Sequence, residues 1–159
     1  MSRPILRRSN SADRAFVRAL SAEAFAVLGD YRELLPSWLA QPGVLGLVAE
    51  GEHGPCGFAL VGFYYGDPAH SFAYAELLAI AVSPAARRQG CGAQLLVGAI
   101  DAARKGPAPV RELRLTVADG NDAALALFGA HGFRALAQDA GHYDGGQRAL
   151  RLGLTLQEP

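Results

Sequence analysis

Lysine is almost missing from this chain: Lys105 is the one lysine among 15 basic residues, and the others are arginines. Cysteine is scarce as well, with only Cys56 and Cys91. Two cysteines cannot build a disulfide framework, and these two lack CxxC spacing. The histidines (His53, His70, His131, His142) are scattered, so no metal site is expected. Neither sign of charge is in excess, because 15 acidic residues balance the 15 basic ones. That balance argues against a protein that coats nucleic acid or an anionic membrane, though it leaves room for a small anion site. No apolar run reaches the roughly 18 residues that span a bilayer. The segment from Met1 to Arg8 has no apolar signal-peptide core, so a cytoplasmic location is expected.

What is present suits a folded domain. Of 159 residues, 50% are hydrophobic and 19% charged, enough apolar surface to build a core. The length suits one domain over residues 1–159. Residues 3–8 read as a strand. Asn10 or Ser11 then offers an N-cap for a helix over 11–26, with Asp13 in its first turn. A second helix is expected over 30–40, stopped by Pro42-Gly43. Strands over 44–50 and 57–65 flank a turn cluster and read as a hairpin. The run from Phe72 to Val82 is apolar at every position from Leu77 onward, which suits a central strand covered on both faces. A helix over 91–104, a strand over 111–117, a helix to about His131 and closing strands over 133–137 and 148–156 complete the pattern. The order β-α-α-β-β-β-α-β-α-β-β is that of an α/β domain.

The most informative stretch runs from Val82 to Leu96. An apolar strand enters a loop with Arg87, Arg88, Gly90 and Gly92, and an amphipathic helix follows. Glycines let backbone N–H groups approach a ligand, the helix N-terminus adds a positive end, and arginines add charge-assisted hydrogen bonds. A phosphate or pyrophosphate is the natural guest. A P-loop would need Gly-Lys-Ser/Thr, which is absent. A dinucleotide fingerprint would need glycine or alanine where Leu95 stands, and an acidic residue at a strand end, whereas Glu112 opens its strand.

Arg87-x-x-Gly90-x-Gly92 resembles the acetyl-CoA loop of the GNAT superfamily of N-acetyltransferases, Gln/Arg-x-x-Gly-x-Gly/Ala. A second block, Asn121, Ala124, Phe128, Gly132 and Phe133, is similar to the family's Asn-x-x-Ala-x-x-x-Tyr-x-x-x-Gly-Phe, with Phe128 where tyrosine is usual. The resemblance implies a GNAT fold: a central mixed, mostly antiparallel twisted sheet of about six or seven strands flanked by about four helices. It implies acetyl-CoA as co-substrate, with its pantetheine arm on the backbone of Ile80, Ala81 and Val82. It places the pyrophosphate at Arg87 and the loop residues Arg88, Gln89, Gly90, Cys91, Gly92 and Ala93. Asn121 and Phe128 would adjoin the cofactor, and each also has a structural role to play, as helix N-cap and as core packing. Cys91 reads as a small core-facing residue rather than a nucleophile.

Acetyl transfer to an amine needs a base, because an alkylammonium has a pKa near 10.4. The resemblance puts Glu76 in that role, at the entrance to the apolar strand. Phe128 has no proton to give, so either Tyr143 or another tyrosine protonates the leaving thiolate, or the thiolate leaves unassisted. Tyr31, Trp38, Tyr64, Tyr65 and Tyr74 are candidates to line an acceptor site. The expected function is acetyl transfer from acetyl-CoA to a primary amine, of a small molecule or a protein N-terminus, by direct attack in a ternary complex. The alternatives are a non-catalytic acyl-CoA-binding or regulatory module on the same fold, and a nucleotide-binding domain. A homodimer that extends the sheet is compatible with the sequence.

Overall fold

The architecture was analysed in a computed structural model that describes residues 3–64, 73–106, 110–137 and 140–156. The expected turn at 66–68 and residues Tyr65, Phe72 and Pro107 lie outside the described residues.

The chain begins with β1 (Ile5–Arg8) and a single 3-10 turn (Ser11–Asp13) leading into α1 (Arg14–Ala24). The start of this helical segment is fixed locally. The Asn10 side chain accepts from the Ala12 N–H, and the Asp13 carboxylate accepts from the Asn10 N–H, so two N–H groups that lack helical partners are satisfied. Asp13 is only 3% exposed. Arg7 clamps it with two hydrogen bonds of 2.8 Å and reaches Glu50 at 2.9 Å. The Arg7 guanidinium therefore holds the Asp13 carboxyl below the usual carboxylate range, against the opposing effect of burial. A depressed carboxyl contributes stability above its unfolded value, and that stability is lost as pH falls through the folded value. Asp13→Asn is expected to lower stability at pH 7 by about 2–3 kcal/mol. That is somewhat less than the cost of breaking a fully buried pair, since Arg7 keeps Glu50 and some water. It should also flatten the acid limb, as read by urea unfolding at pH 7 and at about pH 2.5, below the ordinary carboxyl value.

The second helix, α2 (Leu34–Leu39), is shorter than the expected 30–40. Pro36 explains the late start. It lacks an N–H and its ring excludes a preceding helical turn, so it fits only within the first turn. A hairpin of β2 (Val44–Gly51) and β3 (Gly54–Tyr64) follows, then β4 (Ala73–Val82), a 3-10 turn (Pro84–Ala86) and α3 (Cys91–Arg104). The fold closes with β5 (Val110–Ala118), α4 (Asp122–Ala130), the short β6 (Arg134–Ala135) and β7 (Ala149–Thr155).

The strands form one seven-stranded sheet in the order β1-β2-β3-β4-β5-β7-β6. Its one parallel pair is β4 with β5, and the other pairs are antiparallel. One face carries α3, whose Leu95, Leu96, Ala99 and Ala103 are buried with Leu77, Leu113 and Leu115 and with Phe128 of α4. On the other face Val17 and Leu20 of α1 and Leu35 of α2 bury Val48, Phe58 and Leu60. Gly57 permits the close approach of α3: a Cβ there would stand 2.9 Å from Leu95 Cδ1 and 3.2 Å from Cys91 Sγ.

Candidate active site

The site begins where the parallel pair comes apart. β4 and β5 are paired from Ala73↔Val110 to Leu77↔Leu115, and no pair is recorded beyond Leu77, although both strands continue. A bulge accompanies the separation. On the β3 side the register steps from Val61↔Leu77 to Leu60↔Ala79, leaving Leu78 as the extra residue. The bulge inverts the side-chain alternation. Ala75 and Leu77 face the α3 layer, whereas Ala79 and Ala81 face the α1 layer. Past the bulge, β4 keeps β3 on one edge and has an open edge on the other. Ser83 N donates to Cys56 O at 2.8 Å, on the β3 side. Strand alternation therefore turns the N–H groups of Ile80 and Val82 toward the open edge, and that of Ala81 toward β3.

A cleft of about 280 Å³ fills the gap, lined by Glu76 to Ile80 of β4 and Leu115 to Ala118 of β5. Asn121, Ala124 and Phe128 of the α4 segment close one side; Phe25, Leu28, Tyr31, Leu35, Trp38 and Tyr143 close the other.

The Arg/Gly loop stands at the end of the open edge. Arg87 to Gly90 are exposed. Arg88 has φ 65° and Gly90 φ 79°, two left-handed residues that wind the loop into the first turn of α3. Gly90 is needed for that conformation. Gly92 is not needed for packing, because a Cβ there would meet Leu127 and Val82 at 3.7 and 3.8 Å, ordinary contact. Glycine or alanine would both fit at this position, in keeping with the motif. Gln94 N donates to Gly90 O at 3.0 Å, so Gly90 caps a regular helix start whose first amides face the loop. Cys91 is 1% exposed, with its sulfur 3.9 Å from that of Cys56. Burial, with the Cys56 thiol as a second cause, pushes the Cys91 thiol up to about 12, which leaves it inert as a nucleophile.

Asn121 Oδ1 accepts from Ala124 N at 3.2 Å, so it caps α4 and also lines the cleft. Phe128 is 4% exposed and packs against Phe133 with ring centroids 5.7 Å apart. It too serves both core and cleft wall. Tyr143 comes from the loop before β7. Burial, and next to it the Tyr31 phenol, raise its hydroxyl to about 12, so it stays protonated through the physiological range.

Glu76 lines the cleft, and its carboxylate is ion-paired with Arg151 of β7. Sequence reasoning missed Arg151, whose position, 75 residues away, carries no local signal. It also missed the clasp that ties the loop before β7 to the segment after α1. Gly145 N donates to Leu28 O at 3.0 Å, and Gln147 Nε2 donates to Val27 O at 2.9 Å. The Gly145-Gly146 pair was the available signal. A Cβ on Gly145 would fall 2.0 Å from Val27 O. Of the aromatic candidates, Tyr31 and Trp38 line the cleft. Tyr64 and Tyr74 do not; they stack on each other at 5.3 Å, with Arg114 4.3 Å over the Tyr74 ring.

A splayed parallel pair with an exposed backbone edge, and an Arg/Gly loop that runs into a helix start at one end of it, define an α/β domain with an open strand edge along its cleft. The chain belongs to the Acetyltransferase (GNAT) family, whose sequence profile matches residues 13–133. The fold agrees. A protein provisionally named a phosphinothricin N-acetyltransferase is 28% identical, with a TM-score of 0.76 over 98% of this chain and 99% of that one. The ribosomal-protein-alanine N-acetyltransferase of Brucella melitensis is 26% identical, with a TM-score of 0.77 over 96% and 99%. Arabidopsis thaliana NAA60, in complex with acetyl-CoA, superposes with a TM-score of 0.79 over 96% and 98% at 14% identity. No curated protein matches in sequence.

Proposed function

We propose that this GNAT acetyltransferase moves the acetyl group of acetyl-CoA to a primary amine by direct attack in a ternary complex. The observation that carries the reading is the open edge of β4 running into the Arg87–Gly92 loop. An extended pantetheine arm can add to that edge as a further strand would. The amides of Arg88 to Ala93, with the Arg87 and Arg88 side chains, suit a pyrophosphate. Bound acetyl-CoA supplies the activated acyl group, and the remaining work falls to this chain. Glu76 accepts the proton of the entering ammonium, directly or through one water. Tyr143 donates a hydrogen bond to the departing sulfur. A phenol at about 12 holds its proton more tightly than a thiol near 8.5, so it steadies the thiolate rather than surrendering the proton outright.

The acceptor side favours an amine on an apolar or aromatic body, since Phe25, Leu28, Tyr31 and Trp38 form its wall. Relatives include one provisionally named for phosphinothricin and one that acts on a ribosomal-protein alanine, so both small amines and N-terminal peptides belong in the test. Acetyl-CoA is expected to raise the melting temperature. Thiol release should then be detected with at least one member of a panel of tyramine, phosphinothricin, spermidine and an N-terminal-alanine hexapeptide. Stabilisation by acetyl-CoA with no transfer to any acceptor would favour the non-catalytic reading. Absence of stabilisation would overturn cofactor binding itself. We also propose a single domain working in the cytoplasm, supported by the continuous sheet and by the absence, among the described residues, of a helix long and apolar enough to cross a membrane.

A further inference from the structure

We infer that Arg151, steadied by Thr116, is the positioning residue for the base; the inference rests on the reading of Glu76 given above. The sheet register makes the arrangement specific. Thr116 and Arg151 are direct cross-strand partners on β5 and β7, so their side chains leave the sheet on the same face. Glu76 is registered with Arg114 on β5 and lies on that face too. The Arg151 side chain crosses β5 over Thr116 to reach Glu76. Its Nη1 donates to Thr116 Oγ1 at 2.9 Å and to the Glu76 carboxylate. The short threonine side chain leaves the path open and supplies an acceptor halfway along it.

A second arginine stands on the same face and does not compete. Arg114, although registered with Glu76, donates to Glu112 at 3.0 Å and lies over the Tyr74 ring. The two guanidiniums are thus divided between two carboxylates. The pair that matters is sheltered: the Arg151 and Glu76 side chains are 17% and 19% exposed. Glu76 lines the cleft and Arg151 does not, so Arg151 acts on the reaction only through Glu76. Its guanidinium fixes which carboxylate oxygen is engaged. The second oxygen carries no bond to that guanidinium and is the one the proposal gives to the ammonium proton.

The test compares Glu76→Gln, Arg151→Met, Arg151→Lys, Thr116→Val and the double variant Glu76→Gln/Arg151→Met. Each is assayed by thiol release with the best acceptor of the panel above, beside thermal stabilisation by acetyl-CoA. Arg151→Met is expected to lower kcat by about 10–100-fold, a modest part of the range for general base catalysis, with KM for acetyl-CoA and the acetyl-CoA thermal shift unchanged. Arg151→Lys should recover much of the rate, and Thr116→Val should cost a few-fold. The double variant should be no slower than Glu76→Gln alone, because Arg151 has nothing left to position. A purely structural arginine would instead show multiplicative losses in the double variant. Wild-type kcat in Arg151→Met beside a slow Glu76→Gln would overturn the positioning role. Wild-type kcat in Glu76→Gln would overturn the base reading. If Arg151→Met does not fold, Arg151→Lys and Thr116→Val carry the same decision. Wild-type kcat in Thr116→Val together with unrecovered kcat in a folded Arg151→Lys would count against the inference.

Discussion

Glu76→Gln is expected to lower kcat by about 10²–10⁴-fold while acetyl-CoA binds as tightly as before. The separation of the two effects follows from position. Glu76 sits on the paired half of β4, one residue before Leu77, where the register with β5 ends. The elements proposed to hold the cofactor lie beyond the bulge at Leu78, on the open edge and in the Arg/Gly loop. Glutamine nearly preserves the shape, so the cleft keeps its walls, but an amide cannot take the ammonium proton. The Arg151 guanidinium then faces a neutral group. A stability loss of about 1–2 kcal/mol is expected alongside the kinetic one, since a sheltered cation loses its carboxylate. Steady-state kinetics against acetyl-CoA and thermal shift with acetyl-CoA check both parts. A fall in acetyl-CoA affinity equal to the fall in kcat would place Glu76 in cofactor binding instead.

The second large effect is expected from Gly145→Val, which displaces Tyr143 and the loop before β7 together while leaving the Arg/Gly loop in place. The loop before β7 is held to the segment after α1 by backbone and side-chain hydrogen bonds to Leu28 and Val27. A Cβ on Gly145 would overlap the Val27 carbonyl at 2.0 Å, and backbone cannot swing aside as the end of a flexible side chain would. The loop must therefore lift by more than 1 Å. Tyr143 moves with it, because Tyr143 N donates to Gln147 O, and Gly146 N to Tyr143 O, both at 2.8 Å. A displacement of that size at a reacting centre costs on the order of 10²-fold. kcat/KM for the amine is expected to fall by roughly that factor, with KM for acetyl-CoA within about twofold of wild type. The loop lies on the side of the cleft proposed for the acceptor, and the Arg/Gly loop is untouched. A rise in KM for acetyl-CoA of the same size would show that the clasp supports the whole site.

Several features of the fold are written locally. Asn10 and Asp13, three residues apart, specify the start of the first helical segment, and Gly90 with the Lys105-Gly106 stop bounds α3 at Cys91–Arg104, as the sequence pattern indicates. The uninterrupted apolar run to Val82 marks a strand buried between two layers, since a strand open to water on one face would alternate. The Arg87, Gly90 and Gly92 spacing marks the Arg/Gly loop because its geometry, left-handed backbone beside a helix start, is confined to six residues. Pro36, by contrast, shortens α2 through a steric rule that the apolar periodicity of 30–40 conceals.

The site reads differently from its parts. Glu76 and Tyr143 are both visible as candidates, yet what makes one a positioned carboxylate and the other a proton-retaining phenol is contributed by residues distant in the chain. The partner of Glu76 is decided by which β7 residue faces Thr116. A shift of that register by one residue would send Arg151 to the opposite face. The separation of β4 from β5, the bulge at Leu78 and the clasp at Gly145 likewise arise only when strands and loops remote in sequence pack together. The sequence by itself determined the order of elements, the ends of α3 and the place of the Arg/Gly loop before it, because each depends on interactions within a few residues. Only the tertiary structure decided which strand edge stays open, which arginine holds Glu76 and which aromatics line the cleft. Those outcomes follow from strand register and layer packing, to which no short stretch of chain has access.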